Sequence, residues 1–199
     1  MVVLSGGSRA LESEVGLQIC ATLGIEPRSC TYLSTPITSG PAFIRWKQSL
    51  GDQVREEDRQ YWRDHRLNVI AENETRIAPI ERRLRKEVSG VLVSPIHLHI
   101  SGWSQLEYHR FWQEFISQWC AAVVFSEGWE FSTGCCVEAL TSVVHGLRLF
   151  DQDLADLTPS KMATSLESAR RDLIEIDMAN AVYLETVESL LQLVKTSSE

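Results

Sequence analysis

Four short apolar segments alternate along the chain with longer stretches of helical character. They are residues 30–35, 90–95, 121–125 and 147–150, which are rich in β-branched, aromatic and aliphatic side chains. Apolar segments of this length, bounded by turn-forming residues, are typical of buried strands. Strands that alternate with helices usually form a parallel sheet with helices on both faces. The sequence therefore predicts an α/β fold.

The segments between these strands carry helical signals. We predict helices over residues 9–23, 42–50, 54–86 and 105–119, and one bent helix or two over residues 158–194. Ser8 is the expected cap of the first helix, and Thr158 with Pro159 marks the start of the last. Breaks are expected near His65 and near Pro79. The inner side of the helix over 105–119 is expected to carry Leu106, Phe111, Phe115 and Trp119.

The composition argues against two classes of function. With 27 acidic and 19 basic residues, the chain has a formal net charge of −8 and no basic tract clear of neighbouring acids. Binding to a nucleic-acid polymer depends on lysine and arginine, so we do not expect it, although a small anion is still allowed. No segment approaches the ~20 apolar residues of a membrane span. We therefore expect neither a nucleic-acid polymer nor a membrane as partner.

The N-terminus and the cysteines bear on the compartment. The first residues have no basic region followed by an apolar run, so no signal peptide is expected. The five cysteines are odd in number and lie mostly in apolar surroundings: Cys20, Cys30, Cys120, Cys135 and Cys136. This pattern predicts buried thiols in a reducing cytoplasm rather than a disulfide framework.

The segment after the third strand places chemically useful groups at the edge of the sheet. A Ser-Thr-Gly corner at residues 132–134 opens a helix whose first turns carry Glu138. Open α/β sheets bind their ligands at the carboxyl ends of the strands. Ser132 is either a helix cap or part of an anion site, where Gly134 would let a ligand approach the backbone. Glu138 is either a nucleophile or base, or a solvated glutamate.

A second polar set belongs to the first strand and the loop after it. Its members are Tyr32, Ser34, Pro36, Thr38, Ser39 and Gly40. A tyrosine within a strand is often a core residue, and residues 38–40 are also compatible with a simple turn. The lysine of a P-loop and the glycine spacing of a dinucleotide site are missing from this sequence, so ATP or NAD binding is not predicted.

Together the two motifs resemble the nucleoside 2-deoxyribosyltransferase superfamily, which includes deoxynucleoside 5'-monophosphate N-glycosidases and cytidine monophosphate hydrolases. The resemblance rests on Tyr-Leu-x-x-Pro-Ile at residues 32–37 and Ser-x-Gly-x-x-x-Glu at residues 132–138, and it covers about residues 30–150. It implies that Glu138 attacks the anomeric carbon of the sugar and forms a glycosyl-enzyme intermediate. It also implies that Tyr32 orients this carboxylate, and that no cofactor or metal is needed.

The resemblance also indicates a substrate class. Relatives that act on free nucleosides typically have an aspartate where this chain has Ser132, whereas the monophosphate hydrolases have a serine there. A nucleoside 5'-monophosphate is therefore implied, because an aspartate would repel its phosphate. The implied substrate contacts also include Ser34, Pro36, Thr38, Ser39, Gly40 and Gly134. Trp103 and Trp129 are candidates for stacking on the nucleobase, or alternatively they fill their own loops.

The proton donor is where the chain departs from the family pattern. Relatives carry an acidic residue, usually aspartate, at the start of the helix that precedes the third strand. Here that region offers Glu107, His109 and Glu114. Glu114 is nearer the expected spacing but lies within the helix, whereas Glu107 lies where a helix start is more natural. We favour Glu107 as the acid and keep Glu114 as the alternative.

Two other chemistries are weakly supported. His97 and His99 could ligate zinc, but a third ligand at suitable spacing is not evident. Cys135 and Cys136 have no histidine nearby in the sequence that would activate a thiolate. We therefore predict neither a metal site nor a cysteine nucleophile.

The sequence leads to a Rossmann-like α/β fold, with a parallel sheet of about four to five strands flanked by helices, and extra C-terminal helices. We expect a catalytic domain over residues 1–155 and a helical segment over 156–199 that packs on it or at a subunit interface. The expected function is hydrolysis of a nucleoside monophosphate by a cytoplasmic homodimer or larger oligomer. The alternatives are a transferase, a hydrolase of another N-ribosyl compound, or a non-catalytic nucleotide sensor.

Overall fold

The computed structural model describes Thr22 and residues 24–50 and 59–196. The strands in these residues are β1 (Cys30–Ser34), β2 (Leu92–Val93), β3 (Cys120–Phe125) and β4 (Arg148–Asp151). They form one parallel sheet in the order β2-β1-β3-β4. Each predicted apolar segment contains or overlaps one of these strands. The prediction of an α/β fold with a parallel sheet is confirmed.

The described residues also form seven α-helices. They are α1 (Pro41–Leu50), α2 (Arg59–His65), α3 (Ala71–Glu87), α4 (Gln105–Trp119), α5 (Thr133–Val144), α6 (Pro159–Glu175) and α7 (Ala181–Thr196). None of these helices is long and apolar enough to cross a membrane. The predicted helix over residues 9–23 lies outside the described residues, apart from Thr22 at its end.

Helices cover both faces of the sheet, as parallel sheets require. On one face, Ile77 and Leu84 of α3 pack with Leu33 of β1 and Val124 of β3. On the other face, α4, α5, α6 and α7 share a larger core with the alternate residues of the same strands, such as Tyr32. Because successive side chains of a strand point to opposite faces, Tyr32 and Ser34 lie on the same face as α5.

Helix α4 has the bounds that the sequence predicts. Ser104 accepts a hydrogen bond from the Glu107 N–H, and Glu107 returns one to the Ser104 N–H, which forms a capping box at the helix start. Phe111, Phe115 and Trp119 are buried, but Leu106 is 57% exposed, so its predicted place on the inner side is wrong. At 3.6 residues per turn, Leu106 lies about 140° around the helix from Phe111.

The charged segment over residues 54–86 is helical wherever it is described. The predicted change near His65 is confirmed, because α2 ends there and a π-helical turn (Arg66–Ile70) leads into α3. The predicted break near Pro79 is wrong, since α3 continues through it. A proline removes the hydrogen bond to the carbonyl four residues earlier. Here Pro79 and Thr75 are both exposed, so that carbonyl lies on the water-facing side of the helix.

The C-terminal segment forms two helices, α6 and α7, rather than one bent helix. Thr158 accepts a hydrogen bond from the Lys161 N–H, with Pro159 in the first turn, as the sequence predicts. Leu166 of α6 and Tyr183 of α7 belong to the same core as Tyr32. These two helices therefore support the helix that carries Glu138.

Candidate functional site

Glu138 lies in the second turn of α5, which follows β3 after a connection over residues 126–132 at the carboxyl edge of the sheet. Ser132 is the N-cap of this helix, because its Oγ accepts a hydrogen bond from the Cys135 N–H. Only 8% of Glu138 is exposed, so its interpretation as a solvated glutamate is wrong. Its neighbours Thr141 and Ser142 are buried as well. The polar side of α5 is therefore largely an interior surface.

Two hydroxyl groups of β1 hold the Glu138 carboxylate. The Tyr32 hydroxyl donates to Oε1 over 2.8 Å, and the Ser34 hydroxyl donates to Oε2 over 2.6 Å. Tyr32 and Ser34 are both fully buried. Tyr32 is thus a core residue and a carboxylate partner at once, which joins the two interpretations that its sequence position allowed. Each carboxylate oxygen has a partner, so the group has one orientation.

Burial controls the protonation of this group. Desolvation raises the pKa of Glu138 to about 7, while the hydrogen bonds from Ser34 and Tyr32 act in the opposite direction. Burial, together with the negative charge of Glu138, raises the pKa of Tyr32 well above its ordinary value. Tyr32 therefore stays a hydrogen-bond donor, and Glu138 changes charge near neutral pH. A carboxyl group with a pKa in this range can serve in acid–base or nucleophilic chemistry.

The loop after β1 and the loop between β3 and α5 meet beside the start of α5. The Ser39 hydroxyl donates to the Ser132 hydroxyl over 2.9 Å. Gly40 has a φ of +80°, and a Cβ there would lie 2.7 Å from the Pro36 Cβ, so only glycine fits without displacement. Of the predicted substrate residues, Ser39 and Ser132 are therefore in direct contact, and Pro36 and Gly40 pack against each other; Ser39 is half-buried and the other three are buried.

Two buried residues that the sequence interpretation missed hold the loop after β1. Asn73 of α3 donates to the carbonyls of Ile37 and Ser39, over 2.9 and 3.1 Å. His65 Nε2 lies 2.8 Å from the Thr38 carbonyl, which requires the tautomer with its proton on Nε2. The helical spacing of Asn73, Ile77, Glu81 and Leu84 was the available signal, because it places polar residues on a buried stripe.

The tryptophans differ in their surroundings. Trp129 is 5% exposed and packs on Phe125 with ring centroids 4.8 Å apart. Its prediction as a stacking surface for a nucleobase is wrong, because the ring is already enclosed by protein. Trp103 is half-buried and packs edge-on against Tyr108 and Phe111. Trp103 therefore stays a predicted nucleobase contact.

The predicted acids are engaged elsewhere or turned outward. The Glu107 carboxylate accepts from the Ser104 N–H over 2.6 Å, so it caps α4. Glu114 is on the exposed side of the same helix. In the described part of the chain, the hydrogen bonds of the Glu138 carboxylate are those from Tyr32 and Ser34. The preference for Glu107 as acid is therefore not supported by its position.

His109, the third residue of that region, does face α5. Its Nε2 atom lies 3.3 Å from the point that a Cβ would occupy at Gly134, and the Ser132 Oγ lies 3.9 Å from the same point. His109 is half-buried, and desolvation lowers its pKa. The missing side chain of Gly134 thus gives the imidazole its place at the start of α5.

The other potential reactive groups have structural surroundings. His97 Nε2 lies 2.9 Å from the buried Glu81 carboxylate. The described residues contain no group of three or more histidine, cysteine, aspartate or glutamate side chains that could hold a metal ion. The four described cysteines are buried thiols, as predicted. Burial raises the pKa values of Cys135 and Cys136, which disfavours the nucleophilic thiolate.

An open depression of about 520 Å³ lies further along the carboxyl edge, beyond β3. Its lining includes four acidic residues, Glu127, Glu130, Asp151 and Asp153, and one lysine, Lys161. The excess of negative charge disfavours phosphate groups there. The Glu138 surface, with hydroxyls and a helix start, is the better place for an anionic ligand.

Comparisons with protein-family models, with curated proteins and with solved structures found no match to this chain. The class of protein is therefore defined by the fold and the site of this chain itself. In its described part, it is an α/β protein with a four-stranded parallel sheet. A buried glutamate, held by two hydroxyls, lies at the carboxyl edge of that sheet.

Proposed function

We propose that the protein hydrolyses the N-glycosidic bond of a nucleoside 5'-monophosphate and releases the nucleobase and the sugar 5-phosphate. The observation that carries this proposal is the buried Glu138 carboxylate with Tyr32 and Ser34 bonded to its two oxygens. This arrangement supports the role that the family resemblance implies for Glu138. No small-molecule cofactor or metal enters the proposed reaction.

Glu138 acts as the nucleophile in this proposal. Its ionised carboxylate attacks the anomeric carbon, and the bond to the nucleobase breaks as the ester forms. Tyr32 and Ser34 fix the direction of the carboxylate, so that little orientational freedom is lost in the transition state. Water then attacks the same carbon and releases the sugar phosphate, as in retaining glycoside hydrolysis.

Ser132 and Ser39 bind the 5'-phosphate. Ser132 Oγ already accepts hydrogen bonds from the Ser39 hydroxyl and from the Cys135 N–H. Since a hydroxyl has two acceptor positions and one donor, its own O–H can turn from the Cys135 side chain beside it towards an anion. Thr38, Gly40 and Gly134 complete the phosphate surface through backbone and hydroxyl groups at the helix start.

The spacing along α5 supports the same substrate. Glu138 lies six positions after Ser132, which corresponds to roughly 9 Å of helix rise. The Glu138 side chain leans back towards the helix N-terminus and shortens this interval. A sugar ring with its 5'-phosphate thus has the length to bridge the nucleophile and the phosphate surface.

The cellular setting and the assembly are part of the proposal. The buried thiols support a cytoplasmic location. The resemblance supports a homodimer, in which a neighbouring subunit contributes residues to each site. Light scattering of the purified protein tests whether it is a dimer. Mixing two inactive variants tests whether the subunits share a site, because activity can return only if each subunit contributes residues to the site of the other.

The same nucleophile would also serve a transferase or a hydrolase of another N-ribosyl compound. The product distinguishes these reactions. When a second free nucleobase is added, a transferase gives a new nucleoside or nucleotide, whereas a hydrolase continues to give the sugar phosphate. The burial of Glu138 is compatible with either acceptor, so this exchange experiment accompanies the hydrolysis assay.

A non-catalytic nucleotide-binding protein is the second candidate function. The observation that favours it is the capping role of Glu107, which leaves the acid expected from the family away from the nucleophile. Calorimetric binding of a nucleoside monophosphate, without release of base over a long incubation, would support this alternative.

The primary test uses ribo- and deoxyribonucleoside monophosphates and measures released nucleobase by chromatography. We expect turnover by the wild type and none by Glu138→Gln. Glu188→Gln, an exposed change on α7, is the matched control and should retain full activity. Equal rates in the wild type and Glu138→Gln would refute the nucleophile assignment. Binding without any release by the wild type would leave the sensor function in its place.

A further inference from the structure

His109 has a position that its sequence neighbours do not share. It lies in the second turn of α4, next to the first turn of α5, and its Nε2 atom is 3.3 Å from the Cβ position of Gly134. The Ser132 Oγ is 3.9 Å from that same position. The imidazole therefore lies beside the proposed phosphate surface rather than towards bulk solvent.

Helix geometry brings the imidazole close to Glu138 as well. Gly134 and Glu138 are four residues apart, so their Cβ positions are about 5–6 Å apart on the same side of α5. The Glu138 side chain leans towards the N-terminal turn that His109 contacts. His109 Nε2 lies a further 3.3 Å from the first of these two positions, so the two groups are near enough to act on the same sugar.

A second set of contacts leads to the same place. Trp112, one helical turn after His109, packs on the Tyr32 ring with centroids 5.2 Å apart. Tyr32 donates to Glu138 over 2.8 Å. The face of α4 that carries His109 and Trp112 is thus the face that covers the nucleophile.

We propose that His109 is the acid–base residue of this site: it donates a proton to the leaving nucleobase and later takes one from the attacking water. This inference rests on the proposed glycosidase function. It assigns to an imidazole the role that a carboxyl group has in the resembled family. Glu107 then has the capping role that it shows at the start of α4.

The two steps balance with this assignment. In the first, the bond between the anomeric carbon and the nucleobase breaks, its electron pair goes to the base nitrogen, and that nitrogen takes the proton of the His109 imidazolium. Glu138 forms the ester bond at the same carbon. In the second, water bonds to the carbon, the ester electron pair returns to Glu138, and the proton lost by water passes to His109. One water is consumed for each base released.

Burial acts on both groups in the same sense, because it disfavours their charged forms. It lowers the pKa of His109 and raises the pKa of Glu138 to about 7. The reactive state, with Glu138 ionised and His109 protonated, is therefore a minor form of the free protein.

The test compares two leaving groups in His109→Asn, with His145→Asn as the control. His145 is an exposed histidine at the end of α5, and its replacement should leave all rates unchanged. One substrate is the nucleoside monophosphate that the wild type cleaves. The other is the 4-nitrophenyl glycoside of the same sugar 5-phosphate, whose leaving group needs no proton.

We expect His109→Asn to release nucleobase about 10²–10⁴-fold more slowly than the wild type. With the nitrophenyl substrate it should give a rapid burst of one nitrophenolate per enzyme, followed by slow turnover. Mass spectrometry should then show a sugar phosphate on Glu138, because hydrolysis of the ester lacks its base. A residue with a merely structural role would not produce this burst.

Each other outcome is decisive as well. Unchanged nucleobase release, or an equal loss on both substrates without a burst, would overturn the His109 assignment and leave the Glu138 mechanism in place. A wild type that releases neither nucleobase nor nitrophenolate would overturn both proposals together.

Discussion

Ser39 donates a hydrogen bond to Ser132 over 2.9 Å, and this bond joins the loop after β1 to the start of α5. The two serines lie 93 positions apart in the chain. Their contact turns two separate strand ends into one surface that carries hydroxyls and a helix start. A charged substitution at Ser132 therefore tests whether this surface binds an anionic ligand.

Ser132→Asp places a negative charge where we expect a phosphate. Cleavage of nucleoside monophosphates should fall at least about tenfold more than cleavage of free nucleosides, since we expect the like charges to repel each other by about 1.4 kcal/mol or more. Ser132→Asn is the control, because asparagine also caps helices but stays neutral. Parallel loss on phosphorylated and free substrates would contradict phosphate binding at Ser132.

Activity should depend on pH through Glu138. The nucleophile must be ionised and its pKa is about 7, so kcat/KM should fall tenfold per unit as the pH drops below 7. Tyr32→Phe removes a donor that lowers this pKa, so the acid limb should move to higher pH. The rate should drop about 10–100-fold with loss of a hydrogen bond to a charged group. Tyr183→Phe, which removes another buried hydroxyl, should leave the limb unmoved. An acid limb near pH 4.5 would contradict the desolvated carboxylate.

The free energy of unfolding should also depend on pH through Glu138, and it should fall as the pH rises. The folded-state pKa of Glu138 is raised, so the folded chain binds more protons than the unfolded chain between about pH 4.5 and pH 7. The stabilisation that comes from protonated Glu138 is complete below about pH 4.5 and is lost as the pH rises to about 7. Relative to Glu138→Gln, the wild type should lose roughly 3 kcal/mol of unfolding free energy from pH 4 to pH 8. Urea unfolding at a series of pH values measures this difference. Parallel pH curves for the two proteins would show that Glu138 is solvated.

Asn73 should affect the binding of the nucleoside monophosphate although it is not one of the residues proposed to contact the phosphate. Asn73→Ala removes the donors to the Ile37 and Ser39 carbonyls, and we expect a loss of about 1–3 kcal/mol in stability. KM for the monophosphate should rise because the loop that carries Ser39 loses its support. Asn68→Ala is the matched control, since Asn68 is exposed and its hydrogen bond within the described residues is local, to the Asp64 carbonyl. Similar effects of both changes would contradict the supporting role of Asn73.

Gly40→Ala and Gly146→Ala separate backbone strain from steric overlap. Both glycines have positive φ values, +80° and +63°, so both variants meet the same conformational penalty. Only at position 40 would the new methyl overlap Pro36, since nothing lies within 4 Å of a Cβ at Gly146. We expect Gly40→Ala to be less stable than Gly146→Ala by about 1–3 kcal/mol in thermal unfolding. Equal destabilisation would mean that the loop moves aside without penalty.

The strands and most helix ends were predictable because their signals are local. The apolar strands, the Thr158 cap and the bounds of α4 each follow from a few adjacent residues. The burial of Glu138 was not predictable from periodicity, since its partners on β1 are hydroxyls more than 100 positions away. A helix face that contacts polar residues of a strand looks the same in sequence as a face that contacts water.

The proton donor could not be predicted from local sequence either. Glu107 has the residue type and the helix position expected for an acid, but a neighbouring N–H group takes its carboxylate. His109 faces the site because Gly134, on another helix, has no side chain. Complementarity between two helix surfaces is not encoded in the spacing of either one.

The parallel pairing of β1 with β3 also has a consequence for how the protein is made. Residues 35–119 lie between these strands, so closing the Tyr32–Glu138 contact requires a long loop to form, with an entropic penalty that local contacts do not bear. On the ribosome, β1 can pair with β2 first, but it must wait for more than half of the 199 residues to be synthesised before β3 exists. The rise in the pKa of Glu138 on burial is therefore a late event in folding, and a pulse-labelling experiment that follows this carboxyl group would time the closure of the sheet.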